Sequence, residues 1–192
     1  MQYLVIGVRC LLGLVFLASV ISKVAGAGAF DAFLTSLRGM SVLPPALARA
    51  AAWGVVLGEG GVCGLLAVPE PWAAVGGFAI AAGLLAMFAC GIALSTRQGV
   101  HVPCRCFGAS TVPLGRPHVA RNVVLAGLAV LGETCAQADG TVQAGGAVLA
   151  VCAGLLFGGL VVRFDDLLEL FWSGDSGPST RASGTPAAFP EQ

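Results

Sequence analysis

Charged side chains are scarce in this sequence of 192 residues. Lys, Arg, Asp and Glu together make up 10% of it, whereas hydrophobic residues make up 57%. A soluble domain carries about 25% charged residues, which it needs in order to cover its surface with polar groups. Ten basic and ten acidic residues are too few for that purpose, so the composition indicates a protein whose surface faces lipid.

The sequence also lacks any cluster of basic residues interleaved with aromatic residues, and its formal net charge is zero. Proteins that bind nucleic acids need a basic surface to hold the phosphate backbone. No nucleic-acid partner is therefore expected, and the lipid bilayer is the expected environment.

Several hydrophobic runs are long enough to cross a bilayer, which takes about 20 apolar helical residues. The predicted spans lie near residues 3–24, 46–68, 72–94, 119–133 and 145–162. The first run lacks the basic start and the clean small-residue cleavage site of a secretory signal, so we expect it to be retained. Because the fourth run is short, the sequence predicts an all-α, polytopic transmembrane helix bundle with four or five spans, located in the cell membrane.

Three segments outside the spans have distinct patterns. Residues 30–43 place their apolar side chains on one helical face, which predicts a short helix lying in the membrane interface. Those side chains are Phe33, Leu34, Leu37 and Met40. Residues 95–118 are predicted to form a loop, and the Ser-, Gly-, Pro- and Thr-rich residues 173–192 a disordered tail. The transmembrane domain is therefore predicted over residues 1–172.

Two charged residues, Arg9 and Glu59, lie well inside the predicted spans rather than near their ends, and an unpaired charge there is costly. By path length, Arg9 lies about 9 Å inward from the starting side, and Glu59, on the returning helix, lies about 13 Å from that side. These similar depths predict an ion pair between Arg9 and Glu59 that fixes the helix register. Alternatively, Glu59 handles a proton during function, which suits a carboxyl group among apolar helices.

The loop 95–118 carries the sharpest chemical feature, the pair Cys104 and Cys106. The thiolate is the reactive form of cysteine, and neighbouring positive charge favours it. The neighbours expected to provide such charge are Arg105, Arg97, His101 and Lys23. A disulfide between cysteines so close in sequence closes a small, strained ring that is easily reduced, which suits thiol–disulfide exchange.

Two other interpretations of this loop stay open. Cys104 and Cys106 are either idle thiols or ligands of a metal ion, together with His101 and His118. The other five cysteines lie in or at the ends of apolar spans, where cysteine packs as a small hydrophobic residue. These five are Cys10, Cys63, Cys90, Cys135 and Cys152.

Several short motifs occur together along residues 11–122. They are Ser22-Lys23, Phe33, Leu43-Pro44, Glu59-Gly60, Cys104-Arg105-Cys106-Phe107-Gly108 and Arg121-Asn122. With these motifs the chain resembles the methylamine utilisation protein MauE, a membrane family related to DoxX-like proteins, while the last two spans match only in hydropathy. Arg105 departs from the small residue expected between the two cysteines, so the local thiol potential is expected to differ.

The resemblance implies a role in forming or maturing the small subunit of methylamine dehydrogenase, a secreted, disulfide-dense client, with a thioredoxin-like partner. The leading hypothesis is a membrane thiol–disulfide oxidoreductase, or a subunit of one, in which Cys104 and Cys106 cycle between dithiol and disulfide. A quinone among the helices is the candidate electron partner, with Glu59 taking a proton. The alternatives are a non-enzymatic assembly or scaffolding factor and a small transporter or metal carrier.

Two arguments disagree on which side of the membrane the loop 95–118 faces. With five spans, nine of the ten basic residues fall on the side of the loop, and only Arg9 is assigned to the starting side. The positive-inside rule then makes the loop cytoplasmic. Maturation of an exported enzyme instead requires the loop outside, because disulfides persist in oxidising compartments.

Overall fold

The computed structural model describes residues 1–40, 44–98, 115–137 and 140–164. Within these ranges the chain forms six helices. They are α1 (Gln2–Val24), α2 (Ala29–Gly39), α3 (Pro45–Ala67), α4 (Pro71–Arg97), α5 (Arg116–Ala136) and α6 (Ala144–Val162). All except α2 are long and apolar enough to cross a membrane, which gives five candidate spans in the described ranges. The protein is therefore a multi-pass membrane protein.

Proline and glycine residues set several helix boundaries. Pro45 and Pro71 are the first residues of α3 and α4, and Pro117 is the second residue of α5. At these positions the missing N–H of proline costs no helical hydrogen bond. Between α1 and α2 the chain turns through Gly26 and Gly28, whose φ angles are 120° and 85°. Glycine adopts such angles without steric strain, so this turn brings α2 back against α1.

Contacts between glycines and facing residues define the helix directions. Gly154 and Gly158 of α6 face Gly7 and Leu11 of α1 in the same order, so α1 and α6 run parallel. The neighbours α3 and α4, and likewise α4 and α5, run antiparallel. We call the end of the bundle where α1 begins end A, and the opposite end, where α1, α4 and α6 finish, end B.

The hydrophobic core lies where α1, α3, α4 and α5 meet. Its largest fully buried apolar side chains include Leu12, Phe16, Phe78, Leu85 and Leu125. Helix α6 is more peripheral, because Gly154 and Gly158 are its buried residues and most of its large side chains are exposed. An apolar exposed surface of this kind is what a lipid-facing helix requires.

The structure confirms the predicted all-α transmembrane bundle, and its described part contains five helices that are long and apolar enough to span a membrane. The short fourth segment, predicted at 119–133, is the helix α5, Arg116–Ala136. The short helix predicted over 30–43 is α2, Ala29–Gly39, with Phe33 and Leu34 buried. Its position in the membrane interface stays a prediction, and the predicted tail 173–192 lies outside the described residues.

Candidate functional site

A buried ion pair joins α1 to α3. Lys23 Nζ lies 2.9 Å from Glu59 Oε1 and 3.1 Å from Glu59 Oε2. The Ser19 hydroxyl donates a hydrogen bond to Glu59 Oε1 at 2.8 Å and accepts one from Lys23 Nζ at 2.6 Å. All three residues are 0% exposed. The two opposite charges therefore compensate each other in a place where either charge alone would be very costly.

The position of the Lys23 ammonium group follows from helix geometry. Side chains on a helix lean toward its N-terminus, and residues four apart lie on the same face. The Lys23 side chain therefore reaches back by one turn to Ser19, whose backbone oxygen also lies 3.4 Å from Nζ. A lysine at the last turn of a span thus places its charge inside the bundle.

Helix α2 completes the surroundings of the ion pair. Lys23 Nζ lies 5.0 Å from the centroid of the Phe33 ring, within the range of a cation–π contact. Phe33 is itself buried in a cluster that includes Ala52 and Val55 of α3. The ion pair therefore lies where α1, α2 and α3 meet, and the interface between these helices depends on it.

A cavity of about 230 Å³ borders the ion pair on the side of the α1–α2 turn. Its lining includes Lys23, Gly26, Phe30, Asp31 and Trp53. The rings of Phe30 and Trp53 pack with their centroids 4.6 Å apart and form one wall. This volume holds several water molecules, so water can approach the ion pair although its side chains are buried.

The predicted ion pair between Arg9 and Glu59 is wrong. Arg9 Nε donates instead to the backbone oxygen of Leu66 at 2.7 Å. Glu59 forms its ion pair with Lys23. The depth estimate failed because it assumed that α3 ends level with the start of α1. In the structure Glu59 lies beside Ser19, so α3 is displaced toward end B and carries Glu59 away from Arg9.

Two polar residues of α5 also face the interior. Asn122 and His118 are 1% and 3% exposed, and Asn122 Nδ2 donates to the His118 backbone oxygen at 2.8 Å. Asn122 Oδ1 is buried and accepts no hydrogen bond from the described residues. A buried amide oxygen of this kind is costly, which distinguishes Asn122 from a residue that only packs. Arg121, which belongs to the same sequence motif as Asn122, is half-buried. Its guanidinium carbon lies 5.8 Å from the Phe164 ring centroid.

The loop cysteines Cys104 and Cys106, with Arg105 and His101, lie outside the described residues, so their roles stay predictions. The helices that flank them are described: α4 ends at Arg97 and α5 begins at Arg116, both at end B. The segment between these helices therefore leaves and re-enters the bundle at the end where α1 finishes. The charge of Lys23 is compensated by Glu59, so Lys23 is not a free cation for the loop thiols.

The five span cysteines carry free thiols in the structure. Cys10, Cys63 and Cys135 are half-buried, whereas Cys90 and Cys152 are exposed on the outer surface of the bundle. Of the four ligands proposed for a metal ion, only His118 is described. Throughout the described ranges, no group of three or more His, Cys, Asp and Glu side chains is placed to hold a metal ion.

Sequence reasoning missed the pairing of Lys23 with Glu59 and the part played by Ser19. A signal was present, because Ser19 and Lys23 are four residues apart and share a helix face. The lysine side chain is also long, so the ammonium group of Lys23 lies about one helical turn deeper in the bundle than its Cα atom. Taking that reach into account places the Lys23 ammonium group within the predicted span.

The family model described as methylamine utilisation protein MauE matches residues 1–133. No curated protein and no solved structure matches the chain. The matched region covers α1 to α4 and most of α5, and it includes Lys23, Glu59 and both loop cysteines. The resemblance predicted from the motifs is confirmed.

Proposed function

This chain belongs to the methylamine utilisation protein MauE family, and from that premise we propose that it is a membrane thiol–disulfide redox component for the maturation of methylamine dehydrogenase. The observation that carries the proposal is the family match across residues 1–133, which spans the cysteine pair and the buried ion pair. The client is the small subunit of the dehydrogenase, and the redox partner is a thioredoxin-like protein. Cys104 and Cys106 are the exchanging thiols.

The exchange needs no metal and balances between two sulfur pairs. A loop thiolate attacks the partner's disulfide and forms a mixed disulfide, and the second loop thiolate then displaces the partner. The loop pair becomes a disulfide after losing two electrons and two protons, which the partner takes up as two thiols. The reverse sequence returns the loop to its dithiol form, so the direction depends on the two reduction potentials.

We propose a positioning role for the ion pair in this mechanism. Both Glu59 oxygens contact the Lys23 ammonium group, and one also accepts from Ser19. This arrangement supports a permanently charged contact that holds α1 against α3 at the end of the bundle from which the cysteine loop leaves. The alternative is the predicted proton-handling role of Glu59. Replacing both Lys23 and Glu59 with apolar residues distinguishes the two roles, because only the proton-handling role requires a carboxyl group.

The test replaces the loop cysteines with Cys104→Ser/Cys106→Ser. We expect the methylamine dehydrogenase small subunit to lose its complete set of disulfides in cells carrying this double variant, because no dithiol is left to exchange. Non-reducing mass spectrometry of the small subunit measures the outcome. One of the single variants Cys104→Ser and Cys106→Ser keeps the attacking thiol but lacks the thiol that resolves the mixed disulfide, so we expect that variant to accumulate bound to its partner.

The matched control is Cys90→Ser/Cys152→Ser, since both of these cysteines are exposed on the outer surface of spans. This variant removes the same number of thiols without touching the loop, and we expect normal client disulfides. Unchanged client maturation in the loop double variant would instead support a scaffolding role, in which other proteins perform the sulfur chemistry.

A further inference from the structure

A large groove runs along the outside of the bundle between α1, α5 and α6. Its volume is about 710 Å³. Gly7 and Leu11 of α1, Leu128 of α5, and Ala153 and Phe157 of α6 are among the apolar residues that line it. The groove exists because α5 and α6 both pack on α1 and leave a gap between themselves. Close contact of Gly154 with α1 keeps α6 in place beside this gap.

Among the described residues, the charged side chain that lines this groove is Arg121, at its end-B side. Two more guanidinium groups belong to the same end of the same helices, since Arg116 is the first residue of α5 and Arg163 directly follows α6. The other described lining residues are apolar apart from Tyr3 near end A. The groove therefore has an apolar body and a cationic mouth.

The dimensions fit the tail of a lipid. The lining residues of α6 run from Ala150 to Val161, which corresponds to about 17 Å of helix at 1.5 Å per residue. One leaflet contributes about 15 Å of the roughly 30 Å hydrocarbon core. A chain that starts at the end-B mouth therefore stays within the groove across its whole leaflet.

We propose that this groove is a binding site for an anionic phospholipid. One acyl chain lies along the apolar residues of α1, α5 and α6, and the phosphate lies at Arg121, with Arg116 and Arg163 at the rim. Guanidinium groups bind phosphate oxygens through paired, charge-assisted hydrogen bonds. A quinone is the less suitable occupant for two reasons. Its carbonyl groups are neutral, and the polar lining residues Arg121 and Tyr3 lie near opposite ends of the groove, so they do not surround a single quinone ring.

The test compares phosphatidylglycerol with phosphatidylcholine carrying the same acyl chains. Each lipid is added to the purified full-length protein in mild detergent, and native mass spectrometry measures the bound fraction. We expect phosphatidylglycerol to be retained about tenfold better, the ratio that about 1.4 kcal/mol of headgroup interaction produces. Arg121→Gln should bring this ratio close to one, and Ala153→Phe should reduce binding of both lipids because its ring fills the groove.

Two controls separate this site from general lipid contact. Arg49→Gln removes an exposed cation at the same end of the bundle, and Ala86→Phe adds the same ring on the exposed side of α4. Both should bind like the unmodified protein. Equal retention of the two phospholipids would overturn the proposal, as would a phosphatidylglycerol preference that survives Arg121→Gln and Ala153→Phe, or recovery of an isoprenoid quinone in place of phospholipid. Thermal unfolding of each variant verifies that it is folded.

Discussion

At the scale of single residues, Lys23 and Glu59 depend on each other. Each is fully buried, and their mutual contact, with Ser19 as an intermediate hydrogen-bonding group, is what compensates both charges. Removing water from two charges is expensive, and their attraction offsets that cost only when the geometry is good. Loss of one partner is therefore more damaging than loss of both, and this asymmetry gives a direct test.

Glu59→Gln leaves the Lys23 charge buried without a carboxylate. We expect this change to lower the free energy of unfolding by about 3–5 kcal/mol, the range measured when one member of a buried ion pair is removed. Lys23→Met/Glu59→Leu replaces both charges with apolar groups of similar volume and should recover most of that loss. Unfolding in detergent micelles measures both values, with Asp31→Asn, at an exposed position of α2, as the control.

The same double variant separates the two roles of Glu59. If the ion pair only holds α1 against α3, the apolar double variant keeps thiol–disulfide exchange at the loop, and this is the result that we expect. Loss of exchange in a double variant that unfolds normally would contradict the positioning role and favour proton handling by Glu59.

At the scale of helices, α6 is held to the bundle through glycine. A Cβ atom added to Gly154 would overlap the backbone oxygen of Gly7 and approach the Cys10 Cβ to 3.0 Å. Close backbone approach through small residues is the usual way in which helices pack in lipid, where no hydrophobic force drives them together. The α1–α6 contact therefore depends on residues that have no side chain to contribute.

Gly154→Ala should push α6 away from α1 and cost about 1–3 kcal/mol, as overpacking does elsewhere. Gly159→Ala is the matched control, because a Cβ added there meets nothing within 4 Å. It should leave stability unchanged or raise it slightly, since alanine favours helix more than glycine does. Detergent-micelle unfolding compares the two variants, and an equal effect at both positions would contradict the close-packing explanation.

The helices were predictable from the sequence because lipid imposes a length and a composition on every span. Even the boundaries at Pro45 and Pro71 follow from residues that favour helix starts. The partner of Glu59 was not predictable from depth alone, because depth depends on how far α3 is displaced along α1. That displacement depends on α2 and on the turn at Gly26 and Gly28. The hydropathy of these connecting residues does not show how far α3 is shifted along α1. The family was recognisable from the spaced motifs around Lys23, Glu59 and the loop cysteines.

At the scale of the whole molecule, basic residues are concentrated at one end. In the described parts of the chain, every basic residue other than Arg9 belongs to the end-B half of the bundle. These residues are Lys23, Arg38, Arg49, Arg97, Arg116, Arg121 and Arg163. Cytoplasmic ends of membrane proteins carry such an excess, so the charge distribution predicts that end B, with the cysteine loop, is cytoplasmic.

An impermeant maleimide tests this orientation after mild reduction of any disulfide to thiols. We expect Cys104 and Cys106 to react in inverted membrane vesicles and to stay unlabelled in intact cells. Glu70→Cys places a control thiol at the exposed turn between α3 and α4, at end A, and it should show the opposite pattern. Labelling of the loop cysteines in intact cells would place the loop outside, where it can act on the exported client directly.

The redox mechanism as a whole requires that Cys104 and Cys106 join and separate reversibly. The most direct measurement equilibrates the purified protein in glutathione buffers of graded potential, alkylates the free thiols and analyses tryptic peptides by mass spectrometry. Trypsin cleaves after Arg105, so the two cysteines fall on separate peptides that stay joined only through a disulfide. We predict that both cysteines are alkylated after equilibration in reducing buffers. In more oxidising buffers both should become protected from alkylation together, in one two-electron step, with the two peptides joined by a disulfide. Two thiols that stay alkylated at every potential, or that are permanently bonded to other cysteines, would contradict the mechanism.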